Sequence, residues 1–141
     1  MAFRMVLDTN VLVSGFRSRR GSSFRLLSLL GDAAIATVVS VPLVLEYEAV
    51  LKRQASAFRL SAGDVNDILD FICEVSEHRA VHFLWRPTLR DPRDEFVLEL
   101  AVEGRCQFIV THNVRDFEGA ERFNLRVVTP KQFFQQTGGH R

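Results

Sequence analysis

Apolar residues fall into short continuous runs and longer stretches at helical spacing, and the two alternate along the chain. Phe3 to Leu7 is an apolar run that stops at Asp8-Thr9-Asn10, three residues that readily cap a helix, and Val11-Leu12-Val13 continues as a helical turn. After a basic loop from Arg17 to Gly21, the segment Ser22 to Leu30 places Phe24, Leu27 and Leu30 at helical spacing and ends at Gly31-Asp32. Ala33 to Val39 reads as a buried strand. Pro42 suits the first turn of a helix whose apolar face, Leu43, Tyr47, Val50 and Leu51, runs out near Gln54. Ser61 begins another helix, with Val65, Ile68, Leu69 and Ile72 inward and Asp64, Asp67 and Asp70 outward, and Val81 to Trp85 reads as a short strand. Asp91-Pro92-Arg93-Asp94 has the order of an N-cap, a proline at the first helical position and an acid in the first turn, leading a helix to about Gly104. Gln107 to Thr111 is a buried strand and His112 to Phe117 a turn entering a helical stub. Arg126 to Val128 is a last strand, and Thr129 to Gln136 a terminal helix capped by its threonine.

Strands that alternate with helices and are continuously apolar indicate a parallel sheet covered on both faces. The chain has 141 residues, a length at which one domain buries roughly 68–70% of the surface its unfolded chain exposes. One domain over residues 1–136, with a frayed tail at 137–141, is the expectation. A formal net charge of +1 provides no global basic field, so any nucleic-acid partner must be held by a local patch. Cys73 and Cys106 sit in apolar neighbourhoods and match no metal-ligand or redox spacing, which favours buried reduced thiols and a reducing cytosol. The longest weakly polar stretch, Ala33 to Leu45, is shorter than the roughly 20 residues a membrane span needs, and Met1 to Met5 lacks the pattern of an export signal.

In an open sheet of this kind, ligands bind outside the carboxyl ends of the strands. Asp8 ends the first strand, Glu46 lies one turn into the helix after the second, Asp116 follows the strand ending at Thr111, and Asp94 starts its own helix. Carboxylates brought within about 5 Å of one another repel by roughly 3 kcal/mol per ionised pair at an effective dielectric of 20. A cation relieves that repulsion, and an all-oxygen site suits Mg²⁺ or Mn²⁺, which points to phosphoryl chemistry. Each acid also has a plain structural reading. Asp8 could be a helix cap, although Thr9 and Asn10 serve that role equally well. Glu46 and Glu48 lie on opposite flanks of an apolar stripe, but Glu48 has Lys52 at i+4 as a surface partner, whereas Glu46 has Val50 there. Asp94 is favoured in a first turn by the helix dipole, yet it projects beside Leu98 and Ala101, while Glu95, Glu99 and Glu103 share the expected polar face; Asp91 reads as the cap alone.

Several pieces in this order resemble PIN domains, particularly the toxin components of prokaryotic toxin-antitoxin systems: Leu7 to Gly15, Leu45 to Leu51, Asp91 to Asp94 with Leu98 and Ala101, and Ile109 to Asn113, with Pro130 and Phe133 fitting the usual ending. The resemblance implies a three-layer α/β/α sandwich around a mainly parallel sheet of four to five strands. It also implies a metal-dependent endoribonuclease using one or two Mg²⁺ or Mn²⁺ ions. The family's acidic quartet carries over onto Asp8, Glu46 and Asp94, with the fourth place on Asn113, an amide where an aspartate is commonest; Asp116, three residues on, could restore the acid. Thr9 and Thr111 become polar supports of the acids, against the simpler reading of caps and turns.

The resemblance further implies an RNA substrate, a cognate antitoxin protein, a homodimer, and a cytoplasmic protein with no membrane attachment. Arg17, Arg19, Arg20 and Arg25 could meet phosphates, or form a solvated loop. Phe16 could stack on a base, or be buried, and His112 reads as incidental. A catalytically silent PIN domain that binds RNA or protein is the alternative, favoured by Asn113. A phosphatase of the haloacid dehalogenase type also places an aspartate after its first strand, but usually needs a second two residues later, where this chain has Asn10.

Overall fold

A computed structural model describes residues 2–81 and 91–138. Among the described residues the strands are β1 (Phe3–Leu7), β2 (Ile35–Val39), β3 (Glu77–His78), β4 (Phe108–Val110) and β5 (Arg126–Val128). The helices are α1 (Thr9–Arg17), α2 (Ser22–Ser28), α3 (Val41–Gln54), α4 (Ala62–Val75), α5 (Pro92–Glu103) and α6 (Pro130–Gln136). The strands form one sheet in the order β3-β2-β1-β4-β5, and every neighbouring pair is parallel. Met5 and Val6, whose side chains point to opposite faces of β1, are both wholly buried, so both faces of the sheet are covered.

The chain steps outward from β1 to β2 to β3, then crosses back over β1 to β4 and on to β5. With right-handed crossovers, the two directions of travel put their helices on opposite faces, which yields the α/β/α sandwich. The reversal falls between β1 and β4, where the connections leave the sheet in opposite directions and open a crevice. On one side α1 packs against α2 and α3, α3 against α4, and α2 against α6, while α5 lies across β1, β4 and β2.

Local signals account for most element boundaries. Ser61 and Asp64 form a reciprocal capping box at the start of α4, and Thr129 and Gln132 form another at α6. Ser40 caps α3 through the Leu43 amide, with Pro42 in the first turn. The helix read over Ser22 to Leu30 stops at Ser28, and its buried residues are Ser23 and Leu26, not Phe24, Leu27 and Leu30, which are half-buried. Leu27 lies over α1, where a Cβ on Gly15 would fall 2.3 Å from Leu27 Cδ1. The stub expected after His112 is a 3₁₀ turn, Val114–Phe117. A second 3₁₀ turn, Ala120–Phe123, was not expected; left-handed Gly119 and Asn124 bracket it, and apolar periodicity carries no trace of so short a turn.

Of the expected strand from Val81 to Trp85, Val81 is not in a strand and the rest lies outside the described residues. The described edge strand, β3, comes earlier. It is anchored from across β2: Arg4 on β1 reaches over the small Ala36 and grips both carboxylate oxygens of Glu77 at 3.1 Å each. The same guanidinium donates to the Gly104 carbonyl at the end of α5, tying strand, edge and helix together.

The polar face expected for α5 is corrected by the structure. Glu95 and Glu99 are each only 9% exposed, whereas Phe96 is 52% exposed. The chain leaving β3, from His78 to Val81, runs beside α5 and shares a pocket with Phe96 and Glu99. Cys106 is buried as expected and burial pushes its thiol up to about 12, but Cys73 is only half-buried; both are free. Phe16 is half-buried and packs on Phe58, their ring centroids 6.2 Å apart. No helix among the described residues is long and apolar enough to cross a membrane.

Close approach of α5 to the sheet depends on Gly104. A Cβ there would lie 2.8 Å from Val38 Cγ1 and 3.1 Å from the Leu100 carbonyl oxygen. Gly104→Ala is expected to destabilise the fold by about 1–3 kcal/mol in urea denaturation, the usual penalty of overpacking. Val38→Ala opens space at the clash, so the double variant should lose less than the sum of the two single losses. Strict additivity would show that this contact does not limit the packing.

Candidate active site at the switch point

Asp8 leaves the end of β1 and caps α1, its Oδ1 accepting the Thr9 amide at 2.8 Å. Oδ2 accepts the Thr111 hydroxyl at 2.8 Å and Asn10 Nδ2 at 3.3 Å. Thr111 Oγ1 itself accepts Asn10 Nδ2 at 3.2 Å and the Asn113 amide at 3.0 Å. Those two donors occupy its lone pairs, so its only proton is committed to Asp8. Asn10 Oδ1 takes the His112 amide at 3.1 Å. Side chains thus continue the β1–β4 ladder past its last backbone bond, from the Asp8 amide to the Val110 carbonyl at 2.9 Å.

Glu46 comes from the first half of α3. Its Oε2 accepts the Thr9 hydroxyl, which links α3 to α1 beside Asp8. The neighbouring Tyr47 is buried and donates to the Leu7 carbonyl, seating α3 on the end of β1. Glu48 pairs with Lys52 at 2.9 Å on the helix surface, as its i+4 spacing predicts. Asp91 caps α5 by accepting the Arg93 amide at 2.9 Å, which leaves Asp94 in the first turn. Asp116 sits in the 3₁₀ turn after β4, and its amide donates to the Asn113 carbonyl at 3.0 Å.

These segments enclose a pocket of about 330 Å³. Its walls are Asp8, Thr9 and Asn10 from the start of α1; Glu46, Ala49, Val50 and Arg53 from α3; Asp91, Arg93 and Asp94 from α5; and Asn113 and Asp116 beyond β4. The structure therefore brings together Asp8, Thr9, Glu46, Asp94, Asn113 and Asp116, with Thr111 fully buried beneath Asp8. Asp8 caps a helix and lines the pocket at once, so its two readings do not exclude each other. The same holds for Asp91, which does more than cap.

Arg17, Arg19, Arg20 and Arg25 do not line the pocket. Arg17 donates to Gln54 Oε1 at 3.4 Å, Arg19 and Arg20 are exposed, and the Arg25 guanidinium lies 3.9 Å from the centre of the Phe134 ring. The pocket arginines are Arg53 and Arg93. Arg53 could have been found from Glu46, since it stands seven residues along the same helical stripe. Asn10 was read only as a capping residue; its bracing of Thr111 depends on two strands meeting and leaves no local mark.

The electrostatics record the crowding of acids. Burial, then Asp91, Asp8 and Asp116, push the Asp94 carboxyl up to about 6, with Arg93 opposing. Burial also raises Asp8, offset by its bonds from Thr111 and the Thr9 amide, while Glu46 and Asp116 raise it further. The Tyr47 hydroxyl is held well above its ordinary value by burial and by Asp8 and Glu46. His112 donates to or accepts from Ser23 Oγ at 2.8 Å, and burial lowers its pKa while Asp8 opposes the shift.

The donor set is all oxygen and its acids outnumber the two pocket arginines, which fits a hard divalent cation that keeps several waters. Among the described residues, no group of three His, Cys, Asp or Glu side chains is arranged to hold a metal ion by itself.

An acid after β1, an acid on the helix after β2, an acid opening α5 and a Thr-x-Asn turn after β4 now stand around one crevice. A family model described as the PIN domain matches residues 4–115. The chain belongs to the PIN domain family. The matched PIN segment takes in Asp8, Glu46, Asp94 and Asn113 and stops one residue before Asp116. No curated protein matches the chain. The PIN domain is a nuclease-type fold.

Asp94 supplies a test of the crowding. A carboxyl raised in the folded state costs nothing below its unfolded value, near 3.9, and opposes folding once ionised. Its contribution to stability therefore falls as pH rises through about 6. The lowered His112 acts in the opposite sense near that pH, and it cancels when variants are compared. Between pH 5 and 7, the melting temperature of Asp94→Asn minus that of the parent should rise in metal-free solution. A difference that stays flat with pH would show that Asp94 does not feel its neighbours.

Proposed function

We propose that the protein is a Mg²⁺- or Mn²⁺-dependent endoribonuclease. The observation that carries this reading is the convergence of Asp8, Glu46, Asp94 and Asp116 from four separate segments on one pocket at the switch point. Asp8, Glu46, Asp94 and Asp116 would hold the metal, with Asn113 adding an uncharged amide oxygen. When bound, one or two such ions supply a hydroxide near neutral pH and stabilise the leaving oxygen in phosphodiester hydrolysis.

The chain's own groups orient that set. Thr111 and Asn10 fix Asp8 Oδ2, so that Oδ1, bonded among the described residues to the Thr9 amide alone, keeps a lone pair for the pocket. The Thr9 hydroxyl steadies Glu46. Asp116 gives a fourth negative charge one turn from the amide of Asn113. We also read the protein as the toxin of a toxin-antitoxin pair, a cytoplasmic homodimer blocked by its antitoxin; the support for this is the resemblance of the ordered motifs.

A second reading, a catalytically silent PIN domain that binds RNA or protein, is favoured by Asn113 on the pocket wall and by the absence of a three-residue metal cluster among the described residues. Calorimetric titration with Mn²⁺ separates the two. Retained RNA binding with no heat from the metal supports the silent module.

For the nuclease, Asp8→Asn is expected to abolish Mn²⁺-stimulated cleavage of single-stranded or structured RNA while circular dichroism stays that of the parent. Identical backgrounds from parent and variant would rule the enzyme out. For the toxin, induction of the parent chain should arrest bacterial growth and induction of Asp8→Asn should not. Growth arrest by both would show an effect unrelated to the pocket.

A further inference from the structure

Helix α3 turns one stripe of its surface to the pocket: Glu46, Ala49, Val50 and Arg53, at i, i+3, i+4 and i+7. Seven residues carry a helix through nearly two turns, so Arg53 stands on the side of Glu46 and about 10 Å further along the axis. The stripe has an acid at one end, a small apolar floor in the middle and a guanidinium at the other end. Arg17 at the end of α1 donates to Gln54, the residue after Arg53, and ties the ends of the two helices together, but it does not line the pocket.

A cation in the last turn of a helix is favoured by the dipole alone, and Lys52 fits that plain reading. Lys52 pairs with Glu48 and does not line the pocket. Arg53 does line it and, among the described residues, forms no ion pair. A phosphodiester strand entering this pocket meets a field of carboxylates. A divalent ion offsets that field at one phosphate only, and the next phosphate needs a cation from the chain itself. A guanidinium answers that need with two parallel N–H donors.

We propose that Arg53 is a subsite for the phosphate next to the scissile one on single-stranded RNA, the intervening nucleoside lying over Ala49 and Val50. Which phosphate is scissile rests on the nuclease reading; the grip on the strand does not.

The test is fluorescence anisotropy with base-labelled ribo-oligonucleotides, one a dinucleotide with a single phosphodiester and one a tetranucleotide. Ca²⁺ replaces Mg²⁺ to hold back cleavage. Arg53→Ala and Arg53→Gln should weaken the tetranucleotide about fivefold more than the dinucleotide, the upper end for an exposed ion pair. The slope of log affinity against log salt should become shallower by about 0.7. Arg53→Lys should recover part of the loss, and Lys52→Ala should leave both affinities unchanged. Thermal melts confirm the fold of each variant, and Arg53→Gln gives the same reading should Arg53→Ala not fold.

Equal losses on both ligands would place Arg53 at the reacting phosphate and overturn the subsite. So would an unchanged tetranucleotide affinity, or no binding of the tetranucleotide by the parent chain. If Mg²⁺ or Mn²⁺ elicits no cleavage but the difference between ligands persists, the nuclease reading fails and the phosphate subsite stands.

Discussion

The bond from Thr111 to Asp8 joins the two strands between which the sheet reverses direction. Its direction is forced: two N–H donors already point at the Thr111 oxygen, from Asn10 and from Asn113, and leave the hydroxyl proton no other place. Everything else in the pocket is arranged around the carboxylate that this bond holds. Tyr47 seats α3 on the last carbonyl of β1, which brings Glu46 within reach of Thr9. Removing the Thr111 hydroxyl would leave Asp8 Oδ2 with the Asn10 amide alone and take an acceptor from both Asn10 and the Asn113 backbone amide, a loss felt on both strands at once.

An opposing pressure makes this bracing necessary. Acids drawn from four segments share one crevice, and burial together with Asp91, Asp8 and Asp116 lifts Asp94 to about 6. Such a cluster opposes folding when fully ionised. The sheet tolerates it because the stabilising contacts lie elsewhere: the buried faces of β1 and β4, and the Arg4 grip that fastens β3 and the end of α5 across Ala36. The crevice is left as a place of stored electrostatic tension that a cation or a phosphate-bearing ligand can change.

Much of this was legible in the chain, and what was legible was local. Apolar runs and caps located β1, β2, α3, α5 and α6, because a cap residue and a helical stripe are read within a few residues of each other. The acids were read from equally local signs: Asp8 ends an apolar run, Glu46 lacks the i+4 lysine that Glu48 has, and Asp94 projects beside Leu98 and Ala101 in a first turn. Features that depend on distant contacts escaped. The burial of Glu95 and Glu99 is set by what packs against α5, not by the helix's own pattern. The role of Asn10 depends on β4, about a hundred residues away in sequence and adjacent in space. The loop arginines were judged by their position in the chain, whereas Arg25 turns to Phe134 on α6 and only Arg17 approaches the end of α3.

The fourth acidic position shows where local reading stops and geometry takes over. The resemblance to PIN domains puts it on Asn113, an amide, and by that measure the site is one charge short. The 3₁₀ turn after β4 changes this. Three residues make one turn of such a helix, so Asp116 returns to the side of Asn113, and both line the pocket together. The backbone amide of Asn113 donates to Thr111, a bond that any residue but proline could make there, while Asp116 brings the negative charge to the pocket. An amide at the first place adds no further repulsion next to Asp8, and that is a physical reason for the acid to stand one turn away.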